Sequence, residues 1–152
     1  MNTRKLKAIL SGQLAGFVAW RSAWYRQTPA GLLQAVELQK SAWGGQFAIN
    51  VALMSASEID TNSKTWPVVN QFDVIARIEQ LSRDERVTVA LDLEARMSDE
   101  ERQKLVEGAI EAAVLPFFKR LNSSEAMRAA VRSGELDAFA VRARLREDAH
   151  GE

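Results

Sequence analysis

A chain of 152 residues, 47% apolar and 26% charged, is long enough to enclose a hydrophobic core and fits a single domain. Its 20 Lys and Arg balance 20 Asp and Glu, which argues against a dedicated nucleic-acid binder, whose affinity rests on an excess of cations. Cysteine is absent, so disulfides, thiolate nucleophiles and Cys-ligated metals are excluded, in keeping with a reducing, cytoplasmic setting.

Arg4, Lys5 and Lys7 ahead of Leu14 to Trp20 outline a signal peptide. The apolar run is short, however, Ser11-Gly12-Gln13 interrupt the approach to it, and Arg21 follows in place of a small-residue cleavage site. No stretch nears the ~20 apolar residues that a membrane-spanning helix needs.

Thr3 reads as the cap of a first helix reaching Gln13, with Leu6, Ile9 and Leu10 on one stripe. Gly16 permits a turn, and Phe17 and Val18 lead into a three-stranded antiparallel meander within residues 20–55. Its strands are Ser22–Gln27, Leu32–Lys40 and Phe47–Ser55, joined by Thr28-Pro29-Ala30-Gly31 and by a loop over Ser41–Gln46. The third strand alternates cleanly, Phe47, Ile49, Val51 and Leu53 against Ala48, Asn50, Ala52 and Met54. Pairing Gln27 with Leu32 sets Tyr25 opposite Gln34 and Ala23 opposite Val36. Pairing Lys40 with Phe47 sets Leu38 opposite Ile49. Tyr25, Val36, Leu38, Ile49, Val51 and Leu53 then form the core face, and Trp24, Ala35, Glu37, Gln39, Ala48, Asn50 and Ala52 form the other.

Residues 56–71 read as a long loop, in which Asp60, Asn62 and Ser63 favour turns and Trp66 is an anchor. Phe72–Leu81 alternates as a fourth strand, and Arg86–Leu91 is either a fifth strand or the lead-in to a helix. Ser98-Asp99-Glu100-Glu101 is a capping box opening a long helix, which Pro116 kinks or divides near Val114. Further helices are expected over Ser124–Arg132 and Glu135–Glu147, with a frayed tail at 148–152.

Little of this carries chemistry. His150 is the only histidine and lies near the end, which leaves no imidazole-centred triad and no zinc ligand set. Asp92, Glu94, Asp99, Glu100 and Glu101 flank a helix start, where negative charge complements the dipole. Gly44-Gly45 lacks phosphate-loop spacing and reads as a hairpin loop needing positive φ, with Trp43 at its tip. Trp20, Trp24, Trp43 and Trp66 surround the sheet, either packed under loops or forming a contact surface. Glu37, Gln39, Asn50 and Arg77 project from neighbouring strands. They form either an internal network or a polar groove that recognises a partner's main chain or an amide.

Gly16-Phe17, Trp24-Tyr25-Arg26, Leu38-Gln39-Lys40-Ser41 with Trp43-Gly44, and Phe47 with Ile49-Asn50-Val51 resemble the bacterial domain-of-unknown-function family numbered 4304. Ala76-Arg77-Ile78, Leu115-Pro116-Phe117 and Asn122-Ser123-Ser124 fit its layout, so the resemblance covers about Lys5 to Arg132. It departs at Ser82–Met97, where the family pattern has aromatic residues and this chain has Arg83-Asp84-Glu85-Arg86-Val87-Thr88-Val89. The resemblance implies an α+β fold and the bacterial cytosol, and assigns no reaction.

The expectation is an α+β domain: an antiparallel sheet of four to five strands packed with an N-terminal helix and a C-terminal group of helices. The leading functional reading is a non-enzymatic protein-interaction module, with a toxin-neutralising immunity-type protein as one version. Its tentative binding residues are Glu37, Gln39, Trp43, Asn50 and Arg77, with no catalytic or metal residue and no cofactor. The alternative is a small-molecule-binding protein or an enzyme using a polar pocket on the sheet. The partner expected is a protein, without nucleic acid or membrane.

Overall fold

The computed structural model describes residues 1–58 and 65–151. Helix α1 (Thr3–Gln13) is capped one residue earlier than the sequence suggests: the Asn2 side chain, not Thr3, accepts from the Lys5 amide at 2.9 Å. Leu6, Ile9 and Leu10 are its buried stripe.

Among the described residues six strands form one antiparallel sheet in sequence order, against the four or five expected. They are β1 (Val18–Trp20), β2 (Ala23–Gln27), β3 (Leu32–Lys40), β4 (Phe47–Ser55), β5 (Val74–Arg77) and β6 (Ala140–Val141). The β3–β4 register is the one expected, Lys40 opposite Phe47 and Val36 opposite Val51. The β2–β3 register is one residue away from expectation: Gln27 faces Leu33, Tyr25 faces Ala35 and Trp24 faces Val36. The turn explains the slip. The Thr28 amide donates to the Leu32 carbonyl at 2.8 Å, so Thr28 and Leu32 close a three-residue loop, with Gly31 at φ 85°. Tyr25 and Trp24 therefore exchange faces relative to the sequence reading.

The strand expected over Phe72–Leu81 stops at Arg77. Its remainder is helix α2 (Ile78–Ser82), because the Gln80 side chain accepts from the Arg77 amide at 2.7 Å and starts a helical turn. Arg86–Leu91 lies largely in helix α3 (Glu85–Ala90), opened by Asp84 accepting from the Arg86 amide. Ser98 caps α4 (Asp99–Ala109) as expected, its hydroxyl accepting from the Glu101 amide at 3.1 Å. Pro116 has no N–H to give. The chain widens into a π-helical turn at Ile110–Val114, with the Leu115 amide donating to the Ile110 carbonyl, before α5 (Leu115–Arg120).

Helix α6 (Ser124–Ser133) ends at Gly134, whose φ is 82°. The helix expected over Glu135–Glu147 does not start there. Turns lead instead to β6, whose Val141 pairs with Val74, and the last helix is α7 (Ala143–His150), which runs past the expected frayed boundary. The turns expected at Asp60, Asn62 and Ser63 lie outside the described residues.

The sheet buries both faces unequally. On one, Trp24, Leu32, Val36, Ile49, Val51 and Leu53 pack with Leu10, Val106, Ile110, Val114, Phe117 and Leu145 of the helices, and this is the main core. Two polar side chains stitch it. Gln34, fully buried, donates to the Phe118 and Leu121 carbonyls, and Arg102, 2% exposed, donates to the Ala90, Asp92 and Ala95 carbonyls. On the second face a smaller cluster of Tyr25, Leu33, Ala35, Ala52, Met54, Val69 and Phe72 is roofed by Trp20, Trp66 and Ile75. No described helix is long and apolar enough to cross a membrane.

Candidate functional site

The second face changes character along the β3–β4 hairpin. The pairs Leu33–Met54 and Ala35–Ala52 lie under the aromatic roof. The next pairs on this face are Glu37–Asn50 and Gln39–Ala48, and beyond them comes the 41–46 loop. The strand period of two makes this alternation obligatory once the register is set.

Arg77 joins the same row, because it pairs with Asn50 across β4 and β5. Glu37, Asn50 and Arg77 thus stand side by side on three adjacent strands. Asn50 is nearly buried and organises the group: its amide nitrogen donates to Glu37 Oε1 at 2.7 Å and to Gln39 Oε1 at 2.9 Å. Both Asn50 protons are thereby used. This leaves the second Glu37 oxygen and the Gln39 amide nitrogen available. The Arg77 guanidinium makes no hydrogen bond or ion pair among the described residues.

The four side chains line one open groove of about 470 Å³. Val68, Val69 and Asn70 form one wall, and Gln80 and Ala140 another. Arg142 ties down the first wall, donating to the Phe72 and Asn70 carbonyls at 3.1 and 2.9 Å. Gln80 is held by its bond to the Arg77 amide and donates to the Ala138 carbonyl at 3.0 Å. The sequence offered no signal for Gln80 or Ala140, since the first lay in an expected strand and the second in an expected helix. Val68–Asn70 lay in the long loop.

At the roofed end, Tyr25 stacks on Trp66 with ring centres 5.0 Å apart, and its hydroxyl donates to the Pro67 carbonyl at 2.9 Å. Burial, with a smaller push from the Glu37 carboxylate, raises the Tyr25 pKa above its ordinary value, while Arg21 works against the shift. The phenol stays neutral and the donated bond persists.

Trp43 does not line the groove. It stands at the hairpin tip, 85% exposed, on a loop closed by hydrogen bonds. The Ser41 amide donates to the Gln46 carbonyl, the Trp43 amide to the Ser41 hydroxyl, and the Leu93 amide to the Gly45 carbonyl. Gly44 has φ 69°, as the hairpin-loop reading requires, and a Cβ there would also meet Glu94 Oε2 at 3.2 Å. The other tryptophans pack. Trp24 is in the main core with its indole N–H on Ser11 Oγ at 3.0 Å, Trp66 lies on Tyr25, and Trp20 is half-buried beneath Arg21.

The sequence profile of the family described as Domain of unknown function (DUF4304) matches residues 13–120. The chain belongs to this family. The match spans the sheet through β5, the 41–46 loop and every groove residue except Ala140. No curated protein and no solved structure matches the chain.

In chemical terms the DUF4304 groove offers one carboxylate, one guanidinium and the carboxamides of Gln39, Asn50, Asn70 and Gln80. Carboxamides donate and accept at once, which complements a peptide main chain. Among the described lining residues Glu37 is the one carboxylate.

Proposed function

We propose that this DUF4304 protein is a non-enzymatic protein-interaction module. A partner segment lies in the groove of Glu37, Gln39, Asn50 and Arg77, and Trp43 anchors it at the loop end. The observation that carries this reading is the bare Trp43 indole on a loop whose backbone is braced by hydrogen bonds to Ser41, Gln46 and Leu93. Large aromatic side chains held in place lose little entropy on contact and are enriched among the residues that dominate binding. A toxin-neutralising immunity-type protein is the specific version, supported by analogy with other small α+β proteins.

One observation favours a second reading. All four polar residues line a single cavity, whose 470 Å³ falls within the roughly 300–1,000 Å³ of small-molecule sites. That supports a small-molecule-binding protein, or an enzyme working through Glu37 and Arg77.

The test is capture from a native-host lysate with wild type and Trp43→Ala at equal loading. The expected result is at least one protein held by wild type and lost from the variant. Identical captured sets would overturn the role of Trp43. The second reading gains if the wild type is instead stabilised by a small amide or amino-acid compound and Arg77→Ala is not.

A further inference from the structure

A second cavity lies on the opposite face of the sheet, at the far end of the hairpin from Trp43. It measures about 590 Å³ and is bordered by Ala15, Pro29, Leu115 and Phe118, with Arg26 and Lys119 as its two cationic groups. No Asp or Glu is among its described lining residues.

Arg26 is half-buried, and among the described residues it has no carboxylate partner. Its Nε and Nη2 both donate to Gln34 Oε1, at 3.1 and 2.7 Å. Gln34 in turn is locked by its bonds to the Phe118 and Leu121 carbonyls. The guanidinium carbon sits 4.4 Å from the centre of the Phe17 ring, and Phe17 rests on Phe118 with ring centres 5.7 Å apart. One edge and one face of the guanidinium are therefore occupied, and its orientation is fixed before any ligand arrives. The remaining edge, Nη1 with the second proton of Nη2, is unspent.

The contrast with Arg102 is instructive. Arg102 is more deeply buried and also lacks a carboxylate, but backbone carbonyls take its terminal nitrogens and among the described residues only its Nε is left without a partner. Arg26 has a single neutral acceptor. A partly desolvated cation without an anion is costly. Burial lowers the Arg26 pKa, as expected for a cation short of compensation. The planar fork left open matches a carboxylate or phosphate in two-pronged fashion.

We infer that this cavity is a binding site for a small organic anion. The Arg26 edge and Lys119 take a carboxylate or phosphomonoester head, and Ala15, Pro29 and Leu115 take its apolar body. The site lies on the helix side of the sheet, so it is independent of the groove and of Trp43.

The test is an NMR titration of the full chain with phenyl phosphate, benzoate, inorganic phosphate and benzyl alcohol. Phenyl phosphate or benzoate should shift the Arg26 Nε–H and the Leu115 and Phe118 amides saturably, and whichever binds tighter names the head group. Inorganic phosphate and benzyl alcohol, each carrying half of the ligand, should bind more weakly. Arg26→Gln should weaken binding about tenfold or more. Lys119→Gln, at an exposed position, should weaken it by a smaller factor. No saturable shift with either aromatic anion up to about 10 mM would overturn the site. So would unchanged affinity in both variants, or benzyl alcohol binding as well as the anions.

Discussion

The second face of the sheet holds two neighbouring regions that share the strands β3 and β4. In one, Tyr25, Leu33, Ala35, Ala52, Met54 and Phe72 are closed over by Trp20 and Trp66. In the other, further along β3 and β4 and on to β5, Glu37, Gln39, Asn50 and Arg77 line an open groove. Backbone, pleat and pairing are continuous across the boundary, so only side chains distinguish the halves. The roofed half removes apolar area from water and is a source of stability. The open half buries little, uses its hydrogen bonds to position polar groups, and leaves a guanidinium unspent. That division is expected where one part of a surface folds the protein and another meets something else.

The largest break in the comparison should come from the roofed half. Phe72 is almost fully buried, and Phe72→Ala should cost about 3–5 kcal/mol in urea unfolding. Next is Asn50→Ala, which removes the shared donor of Glu37 and Gln39. It should cost about 1 kcal/mol and loosen the groove rather than the fold. Arg77→Ala should change stability by no more than about 0.5 kcal/mol, because its guanidinium holds nothing, while reducing capture of the partner.

The smallest effect is a titration that reads the boundary itself. Tyr25 is the only tyrosine in the chain, so phenolate absorbance reports it alone. Its midpoint should lie above the ordinary value of 10.0 in the native protein. Since the folded value is raised, this contribution to stability is whole below the unfolded pKa and is lost as pH rises through the folded one. A midpoint at or below the ordinary value would mean that the roof over Tyr25 is open.

Some of this was readable in the chain and some was not, for physical reasons. The β3–β4 hairpin was legible because Phe47–Ser55 alternates larger with mostly smaller side chains and the Ser41–Gln46 loop sets Lys40 against Phe47. The Ser98 cap was legible because its bonds are local. The β2 register was not, because Thr28-Pro29-Ala30-Gly31 serves a three- or a four-residue loop equally well, and only the Thr28–Leu32 closure decides. That one-residue difference put Tyr25 and Trp24 on the wrong faces and concealed the aromatic roof.

Strand β1 went unseen because its turn, Arg21-Ser22, contains none of the Gly, Asn or Asp that usually mark tight hairpins, although Arg21 adopts φ 57°. The sheet-to-helix switch at Ile78 and the β6 strand depend on long-range partners, Gln80 with Ala138 and Val74 with Val141. For the groove, the four polar residues could be grouped from the sequence because they sit on neighbouring strands. The walls at Val68–Asn70 and Gln80 came from tertiary packing alone.

The central claim is that the row Glu37–Asn50–Arg77 serves binding rather than folding. It is tested most directly by replacing the whole row, Glu37→Thr, Asn50→Val and Arg77→Thr together, and measuring stability by urea unfolding. Glu37 and its Asn50 donor go together, the Gln39 oxygen that also loses Asn50 is exposed to water, and β-branched side chains suit strands. The account predicts a variant at least as stable as wild type that no longer captures the partner. A loss of more than about 2 kcal/mol would contradict it, because the row would then be a structural network.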